Sequence, residues 1–403
     1  MDLKKFKIVD SHHHLWDLSM KKHPWLCERP LINFRYGNYE KICKNFLFHD
    51  YMKVSASYNV HKTIHMEAEW DRKDPIGEII WLEKIHKEFG FPNGAVGQIW
   101  LHENNSELLL KEYLKHPIVK SVRQKPNYDD FKKPIVKLSD EAFRLGFSKL
   151  AKYNLHFDLQ IPWKYLQDAK LLADDFPHTL IILNHAGLPY DRSIEGLKSW
   201  RSAINIISQC PNVVVKISGI GVPNSTWNKY NNEGIINYLI DKFGADRCMF
   251  GSNFPVDSLC ASYDQIVETL FECISSLTNT EINSIFYLVN NVCLTNFAIA
   301  TNLAALAHVD SGNFERGFQV VFVIGLFLGG EVIFEDASGK LTVVENEHGT
   351  VFVGKYSSIL HFVFEVFSNN DIESKRTIVA FWAREDLYNF SISCPKYNKE
   401  NQH

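Results

Sequence analysis

The chain has 403 residues, 45% of them hydrophobic and 22% charged, with a formal net charge of −4. That length is long for one domain and comfortable for two, and the small, mixed charge excludes the strongly basic profile of a nucleic-acid or membrane-surface binder. No apolar run reaches the roughly 18 residues of a membrane span, and the opening MDLKKFKIVD lacks the apolar core of a signal peptide. Eight scattered cysteines without a CxxC pair read as reduced thiols, so a cytoplasmic protein is expected.

From residue 1 to about 300, short β-rich runs alternate with amphipathic stretches. In chain order the runs are Ile8–His12, Val60–His65, Gly94–Trp100, Ile118–Val122, Leu155–Leu159, Leu180–Asn184, Val213–Ile217 and Arg247–Gly251. "TLIILN" and "NVVVKI" are nearly continuous in apolar residues, as strands buried on both faces are. Between the runs, residues 74–89, 163–176 and 233–243 repeat apolar residues at three- and four-residue spacing, the mark of helices with one buried face. Eight strands alternating with helices predict a (β/α)8 TIM barrel, with a six-strand open α/β sheet as the lesser alternative.

The polar residues fall at the ends of these runs, which form the active-site mouth of such a barrel. The first run ends in His12 and His14, two apart on extended backbone and so on one face, with His13 turned the other way. Two imidazoles on one face can ligate a divalent metal or polarise a carbonyl; the bland alternative is a polar surface run. The second run ends in His65, followed by Glu67 and Glu69, which share a face if the chain is extended and otherwise suit a helix N-terminus. Arg123 follows the fourth run and suits a substrate carboxylate, or a structural salt bridge. Gln160 ends the fifth run and His185 the sixth; alone, that histidine would read as core or cap. Lys216 with Ser218 ends the seventh, and Asn253 stands after the eighth.

Together, "VDSHHHLWDL", "IHMEAEWD", "DLQIPWKYLQDAKLLADDFP", "LIILNHAGLP", "VVVKISG" and "RCMFGSNFPVD" resemble the amidohydrolase-related hydrolases that include sugar lactonases and pyrone-dicarboxylate lactonase. The resemblance covers about residues 6 to 300. It implies hydrolysis of a C–O or C–N bond, often in a lactone, with His12, His14, His185 and position 253 in the site. That family usually carries an aspartate at the last position as base for the attacking water. Here it is Asn253, which cannot take a proton near neutral pH. Asp257, four residues on, is a substitute base, or a cap for the following helix; Glu67 and Glu69 are the other candidates. Arg123 and Gln160 stand where binuclear relatives carry metal ligands, and His156 begins its run at the far end. One metal, zinc or manganese, or none is therefore expected. The partner is a small molecule, carboxylate-bearing if Arg123 holds it.

After about residue 300 the texture becomes β-rich, with turns at Gly329-Gly330, Ser338-Gly339 and His348-Gly349. His308 and Asp310 in "HVD", then His361 and Arg376 (with Lys375 its neighbour and rival), resemble in that order the iron- and 2-oxoglutarate-dependent oxygenases of the prolyl-hydroxylase type over about 307–385. The resemblance implies His308, Asp310 and His361 as iron(II) ligands, Arg376 as the 2-oxoglutarate anchor, and a double-stranded β-helix (jelly roll). The strands and helices that precede the HxD in such enzymes are missing, so the segment reads as partial: a truncated remnant or a gene-model fusion. The expected organisation is thus a barrel over 1–300 and a partial β domain over 301–403. Three functions compete: a lactonase-like hydrolase, a 2-oxoglutarate-dependent dioxygenase with the barrel as scaffold, and a non-catalytic binding protein disarmed at Asn253.

Overall fold

The computed structural model describes residues 3–125 and 136–288, with the backbone of four short strands at Tyr128–Asp129, Lys133–Pro134, Val363–Val366 and Arg376–Val379. The two units, Met1–Thr301 and Asn302–His403, are taken separately.

In the first unit eight strands form one parallel sheet in sequence order. They are β1 (Ile8–His13), β2 (Val60–Met66), β3 (Gly94–Gln98), β4 (Val119–Arg123), β5 (His156–Leu159), β6 (Ile181–Leu183), β7 (Val213–Ile217) and β8 (Cys248–Phe250). Each matches one run read from the sequence, displaced by at most two residues at an end. A six-strand open sheet is excluded. The sheet nearly closes where the chain after β8 returns to β1: the Asn253 amide donates to the His12 carbonyl at 2.6 Å, and the His14 amide to that of Phe254 at 2.7 Å.

Helices fill the crossovers, among them Pro75–Phe89, Leu166–Asp175, Ile194–Ile207, Lys229–Phe243 and Tyr263–Ile274. The helix expected from residue 233 begins at Lys229, because the Asn228 side chain accepts the Asn231 amide and caps it there. Strand alternation then sorts the core into two layers. Val9, Ile64, Met66, Val96, Leu180, Ile182, Val214 and Met249 plug the barrel interior. Their strand neighbours, such as Ile8, Ala95, Phe157, Ile181, Val213 and Phe250, pack outward under the helices. The apolar plug occupies the lower interior, so the polar inward positions above it stand at the C-terminal mouth.

In the second unit, Val363–Val366 and Arg376–Val379 pair antiparallel, with Val366 opposite Arg376. His308, Asp310 and His361, expected as iron ligands, lie outside the described residues. Arg376 is placed only as backbone at the start of its strand.

Candidate active site at the barrel mouth

β1 delivers the site. Asp10, fully buried, joins it to the chain after β8: Oδ1 accepts the amides of His12 and Ser252 at 3.2 and 2.9 Å, and Oδ2 accepts the Tyr51 and Tyr263 hydroxyls at 2.9 and 3.4 Å. The closure is tight, since a Cβ on Gly251 would stand 2.8 Å from that of His12. His13 points outward, an irregularity between Asp10 and His13 having shifted the alternation that puts Val9 inside, and it lies against Tyr51 and His65 with ring centroids at 4.5 and 5.9 Å. His65 faces the same way and meets Glu78 of the Pro75–Phe89 helix at 3.2 Å, behind the barrel wall.

His12, His14 and His185 converge. The His12 ring centroid lies 4.4 Å from that of His185 and 5.2 Å from that of His14. Burial, first, and then the neighbouring His185, Lys216, His14 and Arg123 hold the His12 pKa well below its usual value, so the ring is neutral. Neither of its nitrogens has a hydrogen-bond partner although both are buried, an exception that calls for a role. Burial and the Arg123 charge likewise keep His14 neutral. Its Nδ1 lies 2.9 Å from the Met66 carbonyl; a carbonyl only accepts, so Nδ1 carries the hydrogen and Nε2 presents its lone pair. His185 sits in a short 3-10 turn, Asn184–Gly187, at φ 56° in the left-handed region, with Nδ1 3.0 Å from Ser218 Oγ. Burial and the Arg35 charge depress its pKa too. Beneath the cluster, Lys216 donates to Asp158 at 2.6 Å, both fully buried.

The residues expected to bind substrate come together, but largely on one another. Arg123 donates from Nε to Glu67 Oε1 at 2.6 Å, to the Glu67 carbonyl at 2.7 Å and to Gln160 Oε1 at 3.0 Å. β2 ends at Met66, and Glu69 takes φ 54° so that its amide donates to Glu67 Oε2 at 2.8 Å. The extended geometry expected for Glu67 and Glu69 therefore does not occur, nor does a helix begin there. Glu69 pairs with Lys125. A cleft of about 530 Å3 opens on this side of the mouth, lined by Trp25, Ile32, Trp100, Glu67, Arg123 and Lys125 among others.

At the eighth strand, Asn253 takes φ 52° and its Nδ2 donates to Asp257 Oδ1 at 2.7 Å. Tyr36 donates to the same oxygen at 2.6 Å. Asp257 does not cap the following helix; Ser262 does. Burial drives the Asp257 pKa up to about 6, against the opposing Arg35 charge and these hydrogen bonds. Oδ2 makes no well-formed hydrogen bond, the Gly219 amide facing the carboxyl at poorer geometry.

Three imidazoles offer donors to the single divalent ion considered for His12 and His14. Among the described residues, however, no group of three or more His, Cys, Asp or Glu side chains is arranged to hold a metal ion. Of the nearby carboxylates, Glu67 and Asp158 are engaged by Arg123 and Lys216 and Asp257 Oδ1 by Tyr36 and Asn253, and the field on the cluster is positive. The donor set as arranged does not fit a divalent metal. Asp10, Asp158, Arg35 and Tyr36 were not singled out from the sequence. Asp158 could have been, since it alternates with Gln160 on the inward face; Arg35 and Tyr36 come from an aperiodic loop.

A family model described as amidohydrolase matches residues 9–288. Uncharacterized protein y4mH of Sinorhizobium fredii is 34% identical over 288 residues, covering 70% of this chain and 95% of that one. An L-fucono-1,5-lactonase of Burkholderia multivorans is 30% identical over 140 residues, 32% of this chain and 47% of that protein. Among solved structures, an amidohydrolase from Burkholderia multivorans with bound zinc superposes with a TM-score of 0.61 at 21% identity, covering 72% of this chain and 99% of that one.

Proposed function

The chain belongs to the amidohydrolase family, and from that membership we propose that it hydrolyses a lactone or similar cyclic ester at the mouth of the barrel. The observation that carries this reading is His12: a buried, neutral imidazole with both nitrogens unpartnered, 4.4 Å from His185. Such a ring offers one N–H to an oxyanion without having to break an existing bond. Arg123 and Lys216 add the positive field that favours negative charge on the carbonyl oxygen as water adds.

Asp257 is the base. Asn253 cannot accept the proton, but it holds the carboxyl one turn away, and a pKa of about 6 suits a general base near neutral pH. The water oxygen bonds to the ring carbonyl carbon while its proton passes to Asp257. The ring C–O bond then breaks, and the departing oxygen takes that proton back from Asp257 to give the open hydroxy acid, leaving the carboxylate free for the next water. No step runs through a metal or through residues 302–403. The lactonases among the relatives support the substrate class.

The test is a panel of five- and six-membered lactones with the full chain, with and without a chelator. Ring opening that survives chelation is expected. A panel that stays silent, also after zinc or manganese is added, refutes the proposal and leaves the binding-protein reading.

A further inference from the structure

Most acids at the mouth are matched to cations: Glu67 to Arg123, Glu69 to Lys125 and Asp158 to Lys216. On the β7 side two guanidiniums break that pattern. Arg35 donates from Nη1 to the Gly219 carbonyl at 2.9 Å, and Arg192 donates to the carbonyls of the next residue, Ile220, and of Asn231. Neither forms an ion pair with a carboxylate among the described residues, and Arg192 Nε is buried without a partner. Two guanidiniums thus stand at residues 219–220, where the Asp257 carboxyl, in the field of Arg35, is the facing acid, so one positive charge is left over when it is ionised.

Arg35 is placed to use it. Its side chain is exposed, and its guanidinium lies 4.3 Å over the Tyr36 ring, whose hydroxyl is fixed on Asp257. Gly219, at φ +58°, brings this group against the histidine cluster: a Cβ there would stand 2.2 Å from His185 Nδ1 and 2.9 Å from Arg35 Nη2. The guanidinium edge and the imidazole are therefore neighbours across one glycine. Of the five N–H donors of Arg35, one bond to a backbone carbonyl holds the plane. Arg123, by contrast, is tied down by Glu67 and Gln160.

We propose that Arg35, backed by Arg192, recognises a carboxylate on the substrate, so that the protein selects anionic lactones over neutral ones. The proposal rests on the hydrolase reading above. A planar guanidinium matches a carboxylate bidentately, and the Tyr36 ring 4.3 Å away supports it through a cation–π contact. Arg35 is a specificity residue here, outside the bond-breaking step.

The experiment measures kcat/KM of the full chain for a carboxylate-bearing lactone and for its methyl ester. Wild type should prefer the carboxylate. Arg35→Gln should lower kcat/KM for it by about 10- to 100-fold, mainly through KM, and change the ester by less than about threefold. Arg35→Lys should restore part of the loss. Equal losses on both substrates overturn the proposal, because they mean that Arg35 only props Gly219. If Arg35→Gln fails to fold, added salt should weaken turnover of the anionic lactone alone in wild type, and a salt-independent ratio overturns it. If no lactone is opened, the hydrolase reading falls separately, and glutarate binding followed by tryptophan fluorescence decides: binding lost in Arg35→Gln sustains the subsite, and equal or absent binding overturns it.

Discussion

Replacing Asp257 by asparagine should remove activity while making the protein more stable at alkaline pH. The carboxyl is fully buried, and burial drives its pKa up to about 6 in the folded chain, against 3.8 for an ordinary aspartate. Below about pH 3 it is protonated in both folded and unfolded states, and it costs nothing. Above about pH 6 the folded state must hold an anion that the unfolded chain holds more readily, a penalty on the order of 3 kcal/mol. Asparagine resembles the protonated acid in shape, and its Oδ1 can still accept the Tyr36 hydroxyl and the Asn253 amide. Urea unfolding of Asp257→Asn should therefore show a gain of up to about 3 kcal/mol at pH 8 that shrinks to about 0.5 kcal/mol at pH 4 and vanishes below about pH 3. Lactone turnover should fall by roughly 10²- to 10⁴-fold, the worth of a general base. A variant that is less stable than wild type at pH 8 refutes the reasoning, since the anion would then be favourably held and its pKa low.

Three further outcomes follow from the same geometry. Turnover by wild type should rise with pH through about 6 as Asp257 ionises; a flat profile from pH 5 to 8 removes it as the base. Asn253→Asp would face the Asp257 carboxyl across what is now a 2.7 Å hydrogen bond, so like-charge repulsion should move the activity limb to higher pH and lower stability at pH 8. A gain of activity over wild type at neutral pH would instead mark position 253 as the seat of the base. Lys216→Met should cost about 3–5 kcal/mol in denaturant unfolding, because it leaves Asp158 buried without its 2.6 Å partner; a loss under about 1 kcal/mol would mean that water or another donor reaches Asp158.

The barrel was legible in the sequence because burial on both faces leaves a local trace. Runs such as Val213–Ile217 are apolar throughout, and the helices between them carry three- and four-residue periodicity. The pairing of His12 with His14, and the outward turn of His13, followed from the two-residue period of a strand. His185 joined them because a run's end marks a place in three dimensions once the barrel is assumed. These are consequences of backbone geometry, and each is encoded within a few residues.

Charge pairing is not encoded that way. Whether Arg123 meets a substrate or Glu67 depends on residues 56 positions apart, and on the turn at Glu69 that breaks the extended geometry. The loss of aspartate at position 253 was visible, but its consequence was not. Only the folded chain shows Tyr36 arriving from 221 residues away to share Asp257 with Asn253. Burial then sets the pKa, and burial is a property of everything packed around a group rather than of the group itself. In the sequence by itself, strand periodicity carried the strand-end residues, His12, His14 and His185 among them, to the mouth; Arg35 and Tyr36, from an aperiodic loop, it did not. The tertiary structure alone decided which of them are already bound to one another and which, like His12 and Arg35, remain open to a ligand.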